Sequence, residues 1–92
     1  MKHEELIAEF EQLAAQMGVE VRYEKGDFDG GYCILKSDRI LLINRKLMTN
    51  KKASVFALAL HTIGLDNVFV KPAVREFIED EVARVSRQSR KR

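Results

Sequence analysis

This chain of 92 residues is poor in the residue types on which metal and redox sites depend. It has one cysteine, Cys33, so it can form no internal disulfide, and this agrees with a reducing compartment. It has two histidines, His3 and His61, and neither a C-x-x-C nor an H-x-x-x-H spacing. A zinc site formed by this chain alone is therefore disfavoured, and we expect no metal ion or other cofactor.

Long apolar runs are absent as well. None approaches the roughly 20 residues that a membrane-spanning helix needs. The first residues, Met-Lys-His-Glu-Glu, lack the apolar character of a signal peptide. We therefore expect a cytoplasmic protein without membrane contact. With 46% apolar and 33% charged residues, the composition is that of a globular domain, which we assign to residues 1–86, followed by a basic tail at 87–92.

The net charge is +2, but the positive charge is concentrated at the C-terminal end of the chain. Residues 84–92 contain no acid and carry +5, so the remaining residues sum to −3. A domain that binds nucleic acid usually has a basic face on its folded body, and no aromatic residue lies within this tail for base stacking. Nucleic-acid contact is therefore the alternative hypothesis, with these candidate residues: Arg84, Arg87, Arg90, Lys91 and Arg92.

Hydrophobic periodicity predicts a small α+β domain. The predicted elements are a helix over 3–17, strands at 19–24, 31–36 and 39–44, and helices at 51–63 and 72–86. We expect a mainly antiparallel sheet, with the last two strands joined by a tight turn around Ser37-Asp38. Gly18 is predicted to end the first helix, Thr49 or Asn50 to cap the second, and Pro72 to begin the third.

The strand at 39–43 is apolar on both of its faces, and the helix at 51–63 is apolar nearly all round. A strand covered on one side only would alternate apolar and polar residues. Either helices cover both faces of this strand, or one face meets another subunit. In so short a chain this pattern favours a protein without catalytic activity that binds an unknown protein partner or a second copy of itself.

The glycine-rich loop at 25–31 contains two incomplete motifs. Counted from Asp27, a calcium-binding EF-hand loop needs glycine at its sixth position and glutamate at its twelfth, where this chain has Tyr32 and Asp38. The glycines also lack the G-x-x-x-x-G-K-[ST] pattern of a phosphate-binding loop, and a strand follows them instead of a helix. A plain turn explains the loop better.

Three residues are candidates for a pocket or an interface: Cys33, His61 and Asn44. A nucleophilic pair of Cys33 and His61 would need hydrogen-bond distance and a third group to orient the imidazole. Cys33 lies in an apolar strand, where a thiol is usually an inert small side chain. His61 lies at the end of a helix, where it faces solvent or binds carbonyl groups. We assign no catalytic residue.

The apolar hairpin after Gly31-Tyr32-Cys33, the following Ile43-Asn44-Arg45-Lys46-Leu47 and the apolar helix resemble the minimal core of zincin-like metallopeptidases of the ImmA/IrrE type. The resemblance covers residues 30–63. In that family the hairpin leads to an asparagine, a short loop and a helix bearing His-Glu-x-x-His. The segment 71–77 resembles stretches of small bacterial proteins, and no function follows from it.

The residues that define this family are absent from the helix. In one register Ala57, Leu58 and His61 occupy the places of the first histidine, the glutamate and the second histidine, and in the next register Leu58, Ala59 and Thr62 do so. Without the glutamate no zinc-bound water is deprotonated, and without paired histidines zinc is not held. The resemblance therefore implies a degenerate, non-catalytic relative.

Overall fold

The computed structural model describes residues 1–89, and it confirms the α+β class and the predicted order of the elements. The elements are α1 (His3–Gln16), β1 (Glu20–Glu24), β2 (Gly30–Leu35), β3 (Asp38–Asn44), α2 (Thr49–Ile63) and α3 (Pro72–Ser89). Within this part of the chain, no helix combines the length and the apolar character needed to cross a membrane.

The predicted signals at the ends of the helices are mostly confirmed. Gly18 follows α1 with a φ of 71°, a backbone conformation that favours glycine, and Pro72 is the first residue of α3. The predicted cap of α2 is wrong, because the helix already begins at Thr49 and the residue before it, Met48, makes no side-chain capping hydrogen bond. Helix α3 continues three residues beyond its predicted end, into the expected tail.

The sheet is mixed, which corrects the prediction of a mainly antiparallel one. Strand β3 lies in the centre, paired antiparallel with β2 on one side and parallel with β1 on the other. The loop between β1 and β2 carries the chain across the end of β3 to the opposite edge of the sheet. The pattern of apolar residues within a strand does not encode such a long-range crossing, so the sequence did not reveal it.

A two-residue turn of Lys36 and Ser37 joins β2 to β3, one position earlier than predicted. Both residues have positive φ angles, 56° and 87°, which are the angles of a type I′ turn. This turn matches the right-handed twist of the two strands and fixes the pairing of Leu35 with Asp38.

All three helices pack on one side of the sheet. On that side Leu41 and Ile43 of β3 are fully buried in the main core. Helices α1 and α2 lie against each other there, with the rings of Phe10 and Phe56 stacked at 5.9 Å between centroids. Helix α3 packs on α2, which is therefore enclosed by the sheet and two helices, as its apolar surface predicted.

The opposite face of the sheet has no helix over it within residues 1–89. There Ile40 is 2% exposed but lies outside the main core cluster, between Glu20 and Cys33 on the neighbouring strands. Leu42 is half-buried and Leu35 is 52% exposed. The prediction that helices cover both faces of β3 is therefore wrong. The alternative, that one face meets another subunit, stays a prediction.

Candidate functional site

A groove of about 410 Å³ runs beside the edge of β2 that carries no neighbouring strand. Its walls are the beginning of β2 and the C-terminal part of α3, and its floor is one face of α2. We call it the β2 groove. Its lining residues on the two helices are Lys51, Ser54, Val55, Leu58, Ala59, Thr62, Arg84, Val85 and Gln88.

The middle of the β2 groove is apolar. Val55, Leu58 and Ala59 follow one another at spacings of three and one on α2, so they lie on one face of that helix. Val85 of α3 faces them across the groove. Such a surface accepts an aliphatic side chain from outside, because contact with it removes apolar area from water.

The free edge of β2 carries backbone groups that can bind another strand. The backbone N–H of Asn44 donates to the backbone carbonyl of Asp29 at 2.9 Å. This bond shows at which residues β2 and β3 exchange hydrogen bonds. Because these positions alternate along an antiparallel pair, the N–H and C=O groups of Gly30, Tyr32 and Ile34 point away from β3. In the described chain, no backbone group outside the sheet binds them.

Within residues 1–89, this edge also lacks the devices that usually prevent strands from pairing. Edge strands are commonly protected by charged residues, proline or a covering element, and the six residues of β2 include no charge and no proline. The other edge of the sheet, β1, has three charged residues among five: Glu20, Arg22 and Glu24. Strand β2 is thus the less protected of the two edges of the sheet.

Gly30 lies at the end of the groove beside β2, at a position that only glycine can occupy. Its φ of 137° is rarely adopted by other residues, and a β-carbon at this position would lie 2.1 Å from the carbonyl oxygen of Leu42. A side chain here would therefore displace β2 from β3. Gly30 and Val55 both line the groove, so the close contact of Gly30 with β3 positions this end of it.

A polar cluster closes the groove at α3. The hydroxyl of Ser54 donates to Glu81 at 2.6 Å, and the guanidinium of Arg84 donates to the same carboxylate at 2.7 Å. The hydrogen bond from Arg84, supported by that from Ser54, holds the pKa of Glu81 below its usual range, although partial burial acts in the opposite direction. Arg84, a candidate for nucleic-acid contact, is thus engaged in joining α3 to α2.

Asn44, one of the three candidates from the sequence, is buried at the end of β3. Its amide nitrogen donates to the carbonyls of Gly26 and Phe28 at 2.9 and 2.6 Å, and its amide oxygen accepts from the backbone N–H of Lys46 at 3.0 Å. The side chain therefore holds the loop that crosses from β1 to β2. This loop precedes Gly30 and so positions the entrance of the β2 groove.

The structure does not bring Cys33 and His61 together with Asn44. Cys33 is exposed on the sheet face that carries no helix. His61 is exposed on α2 and lines a separate depression with Arg75 and Glu79 of α3. Among the other basic candidates, Arg87 is exposed near the end of α3, whereas Arg90, Lys91 and Arg92 lie outside the described residues.

The two sets of residues that could correspond to the metallopeptidase motif lie in different surroundings. Ala57, the first position of one register, is fully buried and faces no groove. The other register, Leu58, Ala59 and Thr62, lines the β2 groove. Within residues 1–89, no three of the side chains His, Cys, Asp and Glu are grouped so that they could hold a metal ion.

Sequence reasoning missed most of this site. The residues that form it, such as Gly30, Leu58 and Val85, come from three elements that are distant in the chain. The signal that could have indicated it was the uncharged composition of Gly30–Leu35, which is unusual for a strand at an edge. Recognising that strand as an edge required the order of the strands, which the sequence pattern did not provide.

Comparison with models of protein families, with curated proteins and with solved structures found no match. The function proposed for this chain therefore rests on the geometry and the chemistry of the β2 groove.

Proposed function

We propose that this protein is a non-catalytic binding domain that takes up an extended segment of a partner protein along β2. The observation that carries this proposal is the free edge of β2, whose outward backbone groups border an open groove. A segment that pairs with this edge would satisfy the N–H and C=O groups of Gly30, Tyr32 and Ile34.

The shape of the groove supports an extended ligand. In a strand that extends the sheet beyond β2, side chains alternate between the two faces of the sheet. Those on the helix side would enter the β2 groove and contact Val55, Leu58 and Val85. Main-chain hydrogen bonds would then supply affinity, and the apolar groove would select for aliphatic side chains.

The absence of catalysis is part of the proposal, together with descent from a zincin-like peptidase. In the register that lines the groove, the places of the metal ligands and the general base are occupied by Leu58, Ala59 and Thr62, none of which ionises or binds zinc. Glu81 lies close by, but its carboxylate is held by Ser54 and Arg84. In such a relative, the groove would have kept the strand edge that binds an extended chain and lost the zinc ligands and the general base.

A library of random linear heptapeptides displayed on phage tests this proposal. The protein is immobilised at low density, so that its copies do not meet, and the selected peptides are measured on two variants of α2. Leu58→Arg fills the β2 groove, whereas His61→Arg places the same side chain on the exposed side of the same helix. We expect the first variant to reduce binding at least about tenfold and the second to leave it unchanged.

Amide hydrogen exchange supplies the second readout. A bound peptide should slow exchange at Gly30, Tyr32 and Ile34 and leave Gly31 and Cys33, whose amides already face β3, as they were. Circular dichroism of both variants shows whether they are folded. Enrichment of no peptide, or peptides that bind Leu58→Arg as well as the natural chain, would overturn the proposal.

A further inference from the structure

We infer that the partner strand is β2 of a second copy of this chain, paired antiparallel about a twofold axis through Tyr32. This inference rests on the proposed function, since it uses the same edge and the same groove. Two sheets would join into one, and both unprotected edges would be removed by a single, self-complementary interface.

The backbone fixes how the two strands can be aligned. The outward groups belong to Gly30, Tyr32 and Ile34, and only residues of this set can exchange hydrogen bonds across the interface. The alignment that uses all of them places Tyr32 opposite its own copy and Gly30 opposite Ile34 of the second copy. A shift by one residue in either strand would set outward groups against inward ones.

The same alignment inserts an exposed apolar side chain into the β2 groove. Ile34 is 65% exposed and lies on the helix side of the sheet, as do Gly30 and Tyr32, because these residues alternate with those of the opposite face. Opposite Gly30, Ile34 of the second copy would lie over the part of the groove formed by Val55 and Leu58. By symmetry each copy both offers and receives this side chain.

The charges at the two ends of β2 are complementary in this arrangement. Asp29 precedes the strand, and Lys36 follows it in the exposed turn. Antiparallel pairing about Tyr32 brings the aspartate of one copy beside the lysine of the other, twice in each dimer. Within its own chain, Asp29 has a long ion pair of 3.8 Å with the exposed Lys51, so it can accept a second cation.

Sedimentation velocity over a dilution series tests the dimer with a matched pair of variants. Ile34→Lys and Leu35→Lys introduce the same charge at adjacent, exposed positions on opposite faces of β2. We expect the natural chain to dimerise and Ile34→Lys to weaken the dimer at least about 100-fold, because the contact is lost twice. Leu35→Lys points away from the groove and lies opposite Asp29 of the second copy, so it should leave the dimer at least as tight as that of the natural chain.

The native cysteine reports the alignment. With Cys33 opposite Gly31 of the second copy, the two Cys33 residues are diagonal neighbours on the same face, about 7–8 Å apart between α-carbons. A bis-maleimide that spans about 8 Å should therefore link natural chains and Leu35→Lys into dimers, but not Ile34→Lys. Cys33 is exposed, so the reagent can reach it.

Two outcomes overturn the inference: a natural chain that stays monomeric at every concentration, or a dimer that Ile34→Lys leaves as tight as before. Because Ile34 is exposed within its own chain, circular dichroism should show that this variant is folded. The peptide selection distinguishes the two proposals. If peptides are selected and the chain stays monomeric, the proposed function stands and the dimer is excluded. If the chain dimerises and no peptide is selected, the groove serves self-association alone.

Discussion

The side chain of Asn44 holds the loop that crosses from β1 to β2 and leads to the β2 groove. It uses both amide hydrogens on carbonyls of the crossing loop and its oxygen on the backbone of Lys46. An aspartate at this position could still accept the hydrogen bond from Lys46, but its carboxylate has no hydrogen to donate to Gly26 and Phe28. Because the side chain is 8% exposed, water could not replace the lost donors at Gly26 and Phe28.

We therefore predict that Asn44→Asp lowers the free energy of unfolding by about 2–3 kcal/mol at neutral pH. The deficit should shrink as the pH falls towards 4, where the introduced carboxyl becomes protonated and can donate to one carbonyl. Chemical denaturation at several pH values measures both effects. Asn67→Asp, an exposed exchange of the same kind, is the control. Equal stability of Asn44→Asp and the natural chain would contradict this account of the crossing loop.

Gly30 shows a second constraint at the scale of a single residue. Its backbone conformation and its closeness to the carbonyl of Leu42 both exclude a side chain. By contrast Gly18 also has a positive φ, but a β-carbon there would meet no atom within 4 Å. At position 30, glycine is thus required by both the backbone conformation and the contact with β3. At position 18, the backbone conformation is the only reason.

At the scale of elements, α3 is fastened to α2 by the cluster of Ser54, Glu81 and Arg84. The pKa of Glu81 is lowered chiefly by the hydrogen bond from Arg84. A carboxyl whose pKa is lower in the folded than in the unfolded protein stabilises the fold above its unfolded pKa, and this contribution is lost as the pH falls through the folded pKa. The packing of α3 should therefore weaken in acid.

From this we predict that Glu81→Gln lowers the free energy of unfolding by about 1 kcal/mol at pH 7. Between about pH 5 and pH 3 the natural chain loses the contribution of Glu81, so the two proteins should approach each other in stability. Urea denaturation at each pH measures the difference. Glu76→Gln, on an exposed part of the same helix, should show no such convergence. A difference that stays constant down to pH 3 would exclude an ionised Glu81 as its cause.

The elements themselves were largely predictable, because their signals are local. The apolar stripe of α1, Gly18 after it and Pro72 at the start of α3 each act within a few residues. The parallel pairing of β1 with β3 was not predictable, since it depends on a crossing loop held from β3 by Asn44. The turn of Lys36 and Ser37 was missed by one residue because neither is a usual type I′ residue.

At the scale of the whole molecule, helices cover one face of the sheet, and no helix of residues 1–89 covers the other. The sequence left two explanations for the two-sided apolarity of β3: helices on both faces, or contact of one face with another subunit. The first is wrong, and the second stays a prediction. Ile40 is only 2% exposed although no helix of residues 1–89 lies over its face, so this face exposes less apolar surface than its sequence suggested. The unprotected feature is the edge of β2, and the proposed partner therefore adds to the sheet from its side.

A dimer through this edge makes the thermal stability depend on protein concentration, because only folded chains present a paired β2. Above the dissociation constant, we predict that the melting temperature of the natural chain rises by about 3–5 °C for each tenfold increase in concentration. Leu35→Lys should show the same slope, whereas the melting temperature of Ile34→Lys should stay constant up to a concentration about 100-fold higher. Differential scanning calorimetry measures these slopes. A slope that begins at the same concentration in Ile34→Lys as in the natural chain would mean that the copies associate through a surface other than β2.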